Sequence, residues 1–455
     1  MGSFNSGSRL GRAAALRYLV ACVLLAGAST ALAQEVRNPF HGPTGSVTDG
    51  GWDTLPCEAD CGVCCGDPCW DGEPGCGCAS TCGVGDGKYC HGGWFGAEWL
   101  YWQLGGSRRL PPMVTASPST TDLDEAGRLD NPDTQILSGN ETVNDGWRSG
   151  YRLSAGVWLD CCHNWGIGGD YFDLANDGYN YLGEPNSGII MARPFYNSEL
   201  GEDDAELVSV PDQLDGTVRV RSGDSFSGAG LTVTRCLWSC CDPCTGNESR
   251  VAGLGGYRYY NYSSDLTITE NLTVLEDTTT PLVPGTTFFV QDRFRTRNEF
   301  NGGEIGLQGY KQHSWWWIDG MAKMAIGNQR RTVTVTGRTI TSVPDDDTTD
   351  VAGGLLTSSE TNIGTYRDSS VVVIPEFRLG VGACLTRRWS VHAGYNVILW
   401  GDVARAASHL PPGLEVDPRN IPPVQSGGGS EPEFPGIRGS QLIAHGLDLS
   451  TTWQW

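Results

Sequence analysis

The stretch Leu447-Asp448-Leu449-Ser450-Thr451-Thr452-Trp453-Gln454-Trp455 decides the fold. Its odd-numbered residues are mainly apolar and its even-numbered residues are polar, so it predicts a β-strand with one apolar and one polar face. An amphipathic strand that ends on an aromatic residue is typical of bacterial outer-membrane β-barrels. We therefore expect Trp453 and Trp455 to act as a signal for barrel assembly. The alternative is the last strand of a soluble β-sandwich.

The first residues have the pattern of a secretory signal. Arg9, Arg12 and Arg17 precede a short apolar core, and Ala31-Leu32-Ala33 matches a cleavage site, so we expect a signal peptide over residues 1–33. The rest of the chain has no apolar run long enough for a transmembrane helix. Closed barrels are the other structures that satisfy every backbone polar group in lipid.

Ten amphipathic segments with a period of two follow along the chain, at 93–104, 148–160, 165–174, 225–237, 250–262, 299–310, 315–336, 369–384, 389–400 and 441–455. The connections alternate between short turns and long polar loops, the long ones at 105–147, 175–224, 263–298, 337–368 and 401–440. The pattern predicts an all-β, antiparallel transmembrane barrel of about ten strands, within a range of about 8–12, over residues 93–455. The short turns and both termini would lie in the periplasm and the long loops outside.

Aromatic residues gather at the segment ends, where interfacial girdles are expected: Trp165, Tyr171, Trp316, Trp389, Trp400, Trp453 and Trp455.

The chain is acidic, with 53 Asp and Glu against 31 Lys and Arg and a net charge of −22. This balance argues against nucleic acid as a partner and against binding to an anionic lipid surface. The expected partners are the lipid of the outer membrane around the barrel and the barrel-assembly machinery.

The 17 cysteines concentrate in a leader over residues 34–92 and near the predicted short turns. An oxidising periplasm favours disulfides over zinc knuckles at Cys61-x-x-Cys64-Cys65 and Cys240-Cys241-x-x-Cys244, so no metal is expected. The leader would be bridged to the turns, or to an envelope partner. The disulfide candidates are Cys57, Cys61, Cys64, Cys65, Cys69, Cys161, Cys162, Cys240, Cys241 and Cys244.

The polar face of each segment would line the lumen. The candidates are Arg152, Asp170, Arg258, Glu304, Asp319, Lys323, Glu376 and Arg378, with His392 and Asp448 on the same faces. Their mixed signs predict a salt-bridge network, and about ten strands enclose only a narrow or occluded lumen. We expect a narrow porin-like channel for ions or small solutes, with Glu376 and Arg378 facing Asp319 and Lys323 at its constriction. The alternative is a closed structural or adhesive barrel whose long loops bind external partners.

Catalytic motifs are weak, and no cofactor is expected. Gly223-Asp224-Ser225-Phe226 contains a serine, and His392 and His445 are available, but no G-x-S-x-G elbow surrounds Ser225. We therefore expect no enzyme activity; a hydrolase that uses Ser225 is the alternative.

Four stretches resemble a family of exported bacterial barrels, the beta-barrel porin family seven. They are Arg193-Pro194-Phe195-Tyr196-Asn197, Gly256-Tyr257-Arg258-Tyr259, the run from Phe294 to Gly303, and the region from Pro375 to Arg405. The resemblance covers about 93–455 and implies an outer-membrane barrel. It brings no functional residues and does not imply transport. One departure is Ala406-Ala407, where a Pro-Gly turn would be expected.

Overall fold

The computed structural model describes residues 75–76, 92–106, 109–160, 163–242, 247–275, 283–313, 315–386, 388–425 and 427–455. Ten long strands dominate this part of the chain. They are β1 (Gly93–Gly105), β2 (Trp147–Trp158), β3 (Trp165–Gly183), β4 (Leu214–Asp242), β5 (Asn247–Val274), β6 (Thr287–His313), β7 (Trp316–Ser342), β8 (Gly364–Cys384), β9 (Trp389–Ala404) and β10 (Gly439–Gln454).

The ten strands form one closed antiparallel barrel. Each strand pairs with the next along the chain, and β10 pairs with β1 to close the ring. The connections β2–β3, β4–β5, β6–β7 and β8–β9 are short, and the others are long. The predicted fold class is therefore confirmed.

Side chains alternate between the two faces of the wall as the period of two requires. On β2, Tyr151, Leu153 and Val157 are 42–47% exposed, whereas Arg152 is 7% exposed. Equivalent outward apolar residues recur on every barrel strand and form a belt, here called the apolar belt. Its members include Phe95, Trp99, Ile167, Tyr171, Leu231, Val233, Tyr257, Ile305, Leu307, Ile318, Ile326, Val373, Leu379, Val381, Val391, Tyr395, Leu447 and Leu449.

Four strands extend far beyond this belt. β4 to β7 contain 27–29 residues each, whereas about 9–11 residues of tilted strand cross a bilayer. The prediction that 175–224, 263–298 and 337–368 are loops was therefore wrong for much of their length. Beyond the belt the outward face is as polar as a loop, so the apolar alternation disappears although the strand continues.

A second sheet lies at the end with the long connections. It contains Val114–Pro118, Gln135–Ser138, Ile189–Asn197, Glu202–Ser209 and Glu415–Val416, and is called the outer sheet. Its buried residues share an apolar core with inward residues of the extended barrel strands. That core includes Val114, Met191, Phe195, Val208, Val218, Val220, Leu266, Ile268, Phe294, Val333, Val335 and Val416.

The predicted signal peptide lies outside the described residues, as do Cys57, Cys61, Cys64, Cys65, Cys69, Cys161, Cys162 and Cys244. Within the predicted leader, the short strand Gly75–Cys76 pairs antiparallel with the backbone of Cys240 and Cys241 at the end of β4. The pairing of the cysteines into disulfides stays a prediction. No helix among the described residues has the length and apolar character to cross a membrane.

Candidate functional site in the barrel lumen

The polar side chains inside the barrel form a network of ion pairs. Arg258 on β5 donates to Asp170 on β3 at 2.8 Å and to Glu304 on β6 at 2.9 Å. Lys323 on β7 lies 3.4 Å from Glu304 and 3.2 Å from Glu376 on β8. Five strands are therefore connected by alternating charges. The pairing offsets the cost of placing these charges inside the barrel.

A second branch contains Glu98 on β1, which is not among the predicted lumen residues. Glu98 accepts from Arg152 at 3.0 Å and from Arg378 at 3.2 Å. Asp448 on β10 lies 4.0 Å from Arg152 and 3.7 Å from Arg378, and accepts from the indole of Trp102 at 2.7 Å. Glu98 occupies an even position between the outward residues Ala97 and Trp99, so the same alternation could have identified it.

The proposed constriction does not form a single ring. Lys323 and Glu376 are in direct contact, but Asp319 pairs with His392 at 2.8 Å. Arg378 lies 3.2 Å from the other ring nitrogen of His392 and reaches Asp319 only through it. The four residues therefore belong to two neighbouring parts of the network.

An aromatic layer fills the barrel on the outer side of the ion pairs. Trp102, Phe226, Phe300 and Trp400 are each 0% exposed, and Tyr260 links the two layers by donating to Glu376 at 2.9 Å. The assignment of Trp400 to the interfacial girdle was wrong. It occupies an even position on β9, which faces inward, and its indole donates to Gln329 at 2.7 Å.

The end of β9 and the beginning of the last long connection enter the barrel beyond the aromatic layer. Ala404 exchanges hydrogen bonds of 2.8 Å with the side chain of Asn298 on β6. Arg405 donates to the Tyr262 hydroxyl at 3.0 Å and to the carbonyl of Gly105 at 2.8 Å. The departure at Ala406-Ala407 begins a 3-10 helix, Ala406–His409, in which Ala406 is buried. The segment is therefore attached to β1, β5 and β6 inside the barrel.

A buried arginine attaches the outer sheet to the wall. Arg193, 2% exposed, donates to Glu270 on β5 and, at 2.8 Å, to Asp292 on β6. Asp292 also accepts from the Thr357 hydroxyl at 2.6 Å. Glu206 of the outer sheet lies 3.9 Å from Arg193. Burial and the charge of Glu270 raise the pKa of Glu206 well above its usual value, and Arg193 only partly offsets this.

The residues considered for catalysis are not brought together. Ser225 faces outward on β4 and shares a hydrogen bond of 2.7 Å with Ser263. His392 faces inward, and His445 faces outward on β10, where it contacts the hydroxyl of Tyr395 at 2.7 Å. In the described ranges, no group of three or more His, Cys, Asp or Glu residues could hold a metal ion.

Trp453 and Trp455 lie at the rim with the short turns. Trp453 is opposite Phe95 and Trp389, and Trp455 exchanges two backbone hydrogen bonds of 3.1 Å with Gly93. Their role in assembly stays a prediction.

Comparison with known proteins places the chain in a family. The outer membrane protease OmpT from Escherichia coli is 12% identical, with a TM-score of 0.33 over 80% of this chain and 97% of OmpT. The P. putida toluene transporter TodX is 10% identical, with a TM-score of 0.21 over 80% and 89%. At these values neither likeness carries an argument about activity, and no curated protein sequence matches. A family model described as "Putative beta barrel porin-7 (BBP7)" matches residues 94–455. The chain therefore belongs to this family of porin-like outer-membrane β-barrels.

Proposed function

We propose that this protein is a closed outer-membrane barrel that acts as a scaffold and presents its outer sheet and loops to external partners. The observation that carries the proposal is the filling of the lumen. Three successive layers cross it: the ion-pair network, the aromatic layer, and the inserted segment around Ala404 and Arg405.

The packing of these layers supports a closed state because each is attached to several strands. A solute would have to displace Trp400 and Phe300, which are fully buried, and then separate Ala404 from Asn298. Truncation of one such buried aromatic typically costs about 3–5 kcal/mol. A path through the layers therefore requires several such contacts to be lost together.

The charge of the loops supports contact with basic partners. Exposed carboxylates of the outer region include Asp122, Asp124, Glu125, Asp130, Asp133, Glu199, Glu202, Asp345, Asp346 and Asp347. Such a surface attracts positively charged partners and repels acidic ones, and salt weakens the attraction.

A narrow cation channel is the second candidate. It is favoured by Nε of Arg378 and Oδ2 of Asp448, two buried atoms that face each other at 3.7 Å and have no hydrogen-bond partner in the described structure. Buried polar atoms of this kind are commonly satisfied by water, and a chain of water molecules could carry small cations.

Solute flux separates the two candidates. The folded barrel is placed in liposomes, and swelling is followed in sugars of increasing size and in potassium salts. The scaffold proposal predicts the leak rate of protein-free liposomes for every solute, and an established porin serves as the positive control. Potassium entry with exclusion of sugars would favour the narrow channel, and entry of sugars would exclude the closed scaffold.

A further inference from the structure

Six arginines lie together on the outward face of the wall, beyond the apolar belt. This surface is called the arginine face and consists of Arg221 on β4, Arg293, Arg295 and Arg297 on β6, Arg330 on β7 and Arg367 on β8. All six occupy outward positions. The immediate neighbours of the arginines on β4, β6 and β7, such as Phe294 and Thr296, are buried inside the barrel, and on β8 Arg367 lies in the outward series of Ser369 and Val371.

The strand register makes this surface continuous. Arg330 lies opposite Glu299 on β6 and Ser369 on β8, and in the next row Thr332 separates Arg297 from Arg367. Arg295 and Arg293 continue the face outward, and Arg293 and Arg221 both lie opposite Thr267 of β5. The guanidinium groups are therefore separated mainly by hydroxyl side chains.

The arginine face is positive although the chain is acidic. In its rows the described outward carboxylates are Asp265, Glu299 and, on β3, Asp173. Asp265 is shared by Arg293 at 2.9 Å and Arg295 at 3.3 Å, and Glu299 pairs with Arg297 at 3.0 Å. Six cations against three anions leave an excess of three positive charges. The expectation that an acidic chain avoids anionic lipid was based on net charge, which does not report how charges are distributed over the surface.

The height of the face above the apolar belt indicates its ligand. A step of two residues climbs about 5 Å along a tilted antiparallel strand. Counted along its own strand, Arg330 lies two steps, or about 10 Å, above Ile326, and Arg293 lies six steps, or about 30 Å, above Ile305. The headgroup region of an ordinary phospholipid leaflet is about 5–8 Å deep. The face therefore lies above an ordinary headgroup region, at a height that a lipid with an extended phosphorylated saccharide headgroup would reach.

A groove at one side of the face gives such a headgroup access to the backbone. It has a volume of about 380 Å³ and is lined by residues that include Gly178, Gly223, Asn180, Arg221 and Asp265. Gly178 and Gly223 lie opposite each other on β3 and β4. A Cβ added at Gly223 would meet only the carbonyl oxygen of Asp177, at 3.7 Å. The position would therefore accept a side chain, which would fill the groove.

We propose that the arginine face binds the phosphate groups of a phosphorylated glycolipid in the outer leaflet. Guanidinium groups donate paired hydrogen bonds that match phosphate oxygens, and the intervening Ser and Thr hydroxyls bind sugar and phosphate oxygens. The six arginines would hold several such lipids side by side against the outward face of β4–β8. This binding is independent of whether the lumen conducts.

The test is lipid retention by the full-length folded barrel. Nanodiscs are formed from phosphatidylcholine with either a glycolipid whose extended saccharide headgroup carries phosphates or its dephosphorylated form, and glycolipid retained after detergent extraction is counted per barrel. We expect the phosphorylated lipid to be retained about tenfold more than the dephosphorylated one. Equal retention would overturn the proposal. Release of the lipid by millimolar inorganic phosphate would overturn the lipid assignment and indicate a site for free phosphate.

Matched variants locate the site. The combined R295Q/R297Q/R330Q substitution should abolish the phosphate-dependent retention, whereas R109Q/R128Q/R419Q, which removes the same charge from the long connections, should leave it unchanged. Gly223→Val, which changes no charge, should reduce retention several-fold by filling the groove. Heat-modifiable gel migration shows that each variant is folded. Equal loss in the two arginine variants would show a non-specific charge effect and overturn the proposal.

Discussion

Replacing Arg193 by Met should release the outer sheet from the barrel wall. Met keeps an unbranched side chain of similar length but removes the charge, so Glu270 and Asp292 lose their shared cation. Both carboxylates are 0% exposed, and Arg193 bridges them inside the barrel.

The expected free-energy cost follows from the burial of both partners in each ion pair. Removing one partner of a buried ion pair costs about 3–5 kcal/mol, because the remaining charge is left uncompensated. An effect of this size would raise the population of the detached outer sheet by about two to four orders of magnitude. The triple variant R193M/E270Q/D292N removes the buried charges together and should recover most of the loss.

Hydrogen exchange of the amides in Ile189–Asn197 and Glu202–Ser209, in the folded detergent-solubilised barrel, measures this opening directly. Amides of the barrel strands at the level of the apolar belt are the internal control, and their exchange should stay slow if the wall is intact. The control is Arg128→Gln, because Arg128 pairs with Asp130, whose side chain is 50% exposed. This substitution should change the free energy of opening of the outer sheet by less than about 1 kcal/mol. The reasoning would be refuted if R193M changed the free energy of opening by less than about 1 kcal/mol, or if the triple variant did not recover it.

Three further predictions concern pH, assembly and topology. The raised pKa of Glu206 means that the folded protein holds this proton more tightly than the unfolded chain, so protection of the outer sheet should be greatest at acidic pH and fall as pH rises through the raised value. Glu206→Gln should flatten this dependence and increase protection at pH 8, whereas Glu202→Gln at an exposed position should not; equal slopes in both variants would contradict the assignment. Trp455→Asp should reduce the amount of heat-modifiable barrel in the outer membrane about tenfold or more, because it places a charge at the rim. Gln454→Asp, on the opposite face, is the control. Normal amounts of the Trp455→Asp barrel would contradict a role in assembly. A membrane-impermeant thiol reagent, applied with an impermeant reductant to intact cells, should label no native cysteine, and labelling from outside would invert the topology.

Inside the apolar belt, the strands could be predicted closely. The segment 389–400 was predicted and β9 spans Trp389–Ala404, because lipid-facing residues such as Val391 alternate with lumen-facing residues such as His392. On β4 the prediction began at 225, but the strand begins at Leu214. Arg219 and Arg221 replace lipid-facing apolar residues there, while Val218 and Val220 still point inward. The inward residues therefore stayed apolar, but the outward residues no longer distinguished a strand from a loop.

The arrangement of the charges in the lumen could not be predicted from the sequence. The period of two places Arg152, Arg258 and Glu376 inside, but it does not determine which carboxylate each cation contacts. Arg193 contacts Glu270 and Asp292 across 77 and 99 residues of sequence. Such contacts depend on where a long connection folds back. Alternation along a strand carries no information about this, so the inserted segment and the outer sheet were not predictable.

Single-channel recording of the folded, full-length barrel in a planar bilayer tests the closed lumen most directly. With an established porin inserted under the same conditions as a positive control, the closed scaffold predicts no steps above the baseline in either cation or anion gradients. Steady cation-selective steps from the unmodified protein would contradict it and would make Arg378, Asp448 and Glu98 the first residues to substitute in a conducting path.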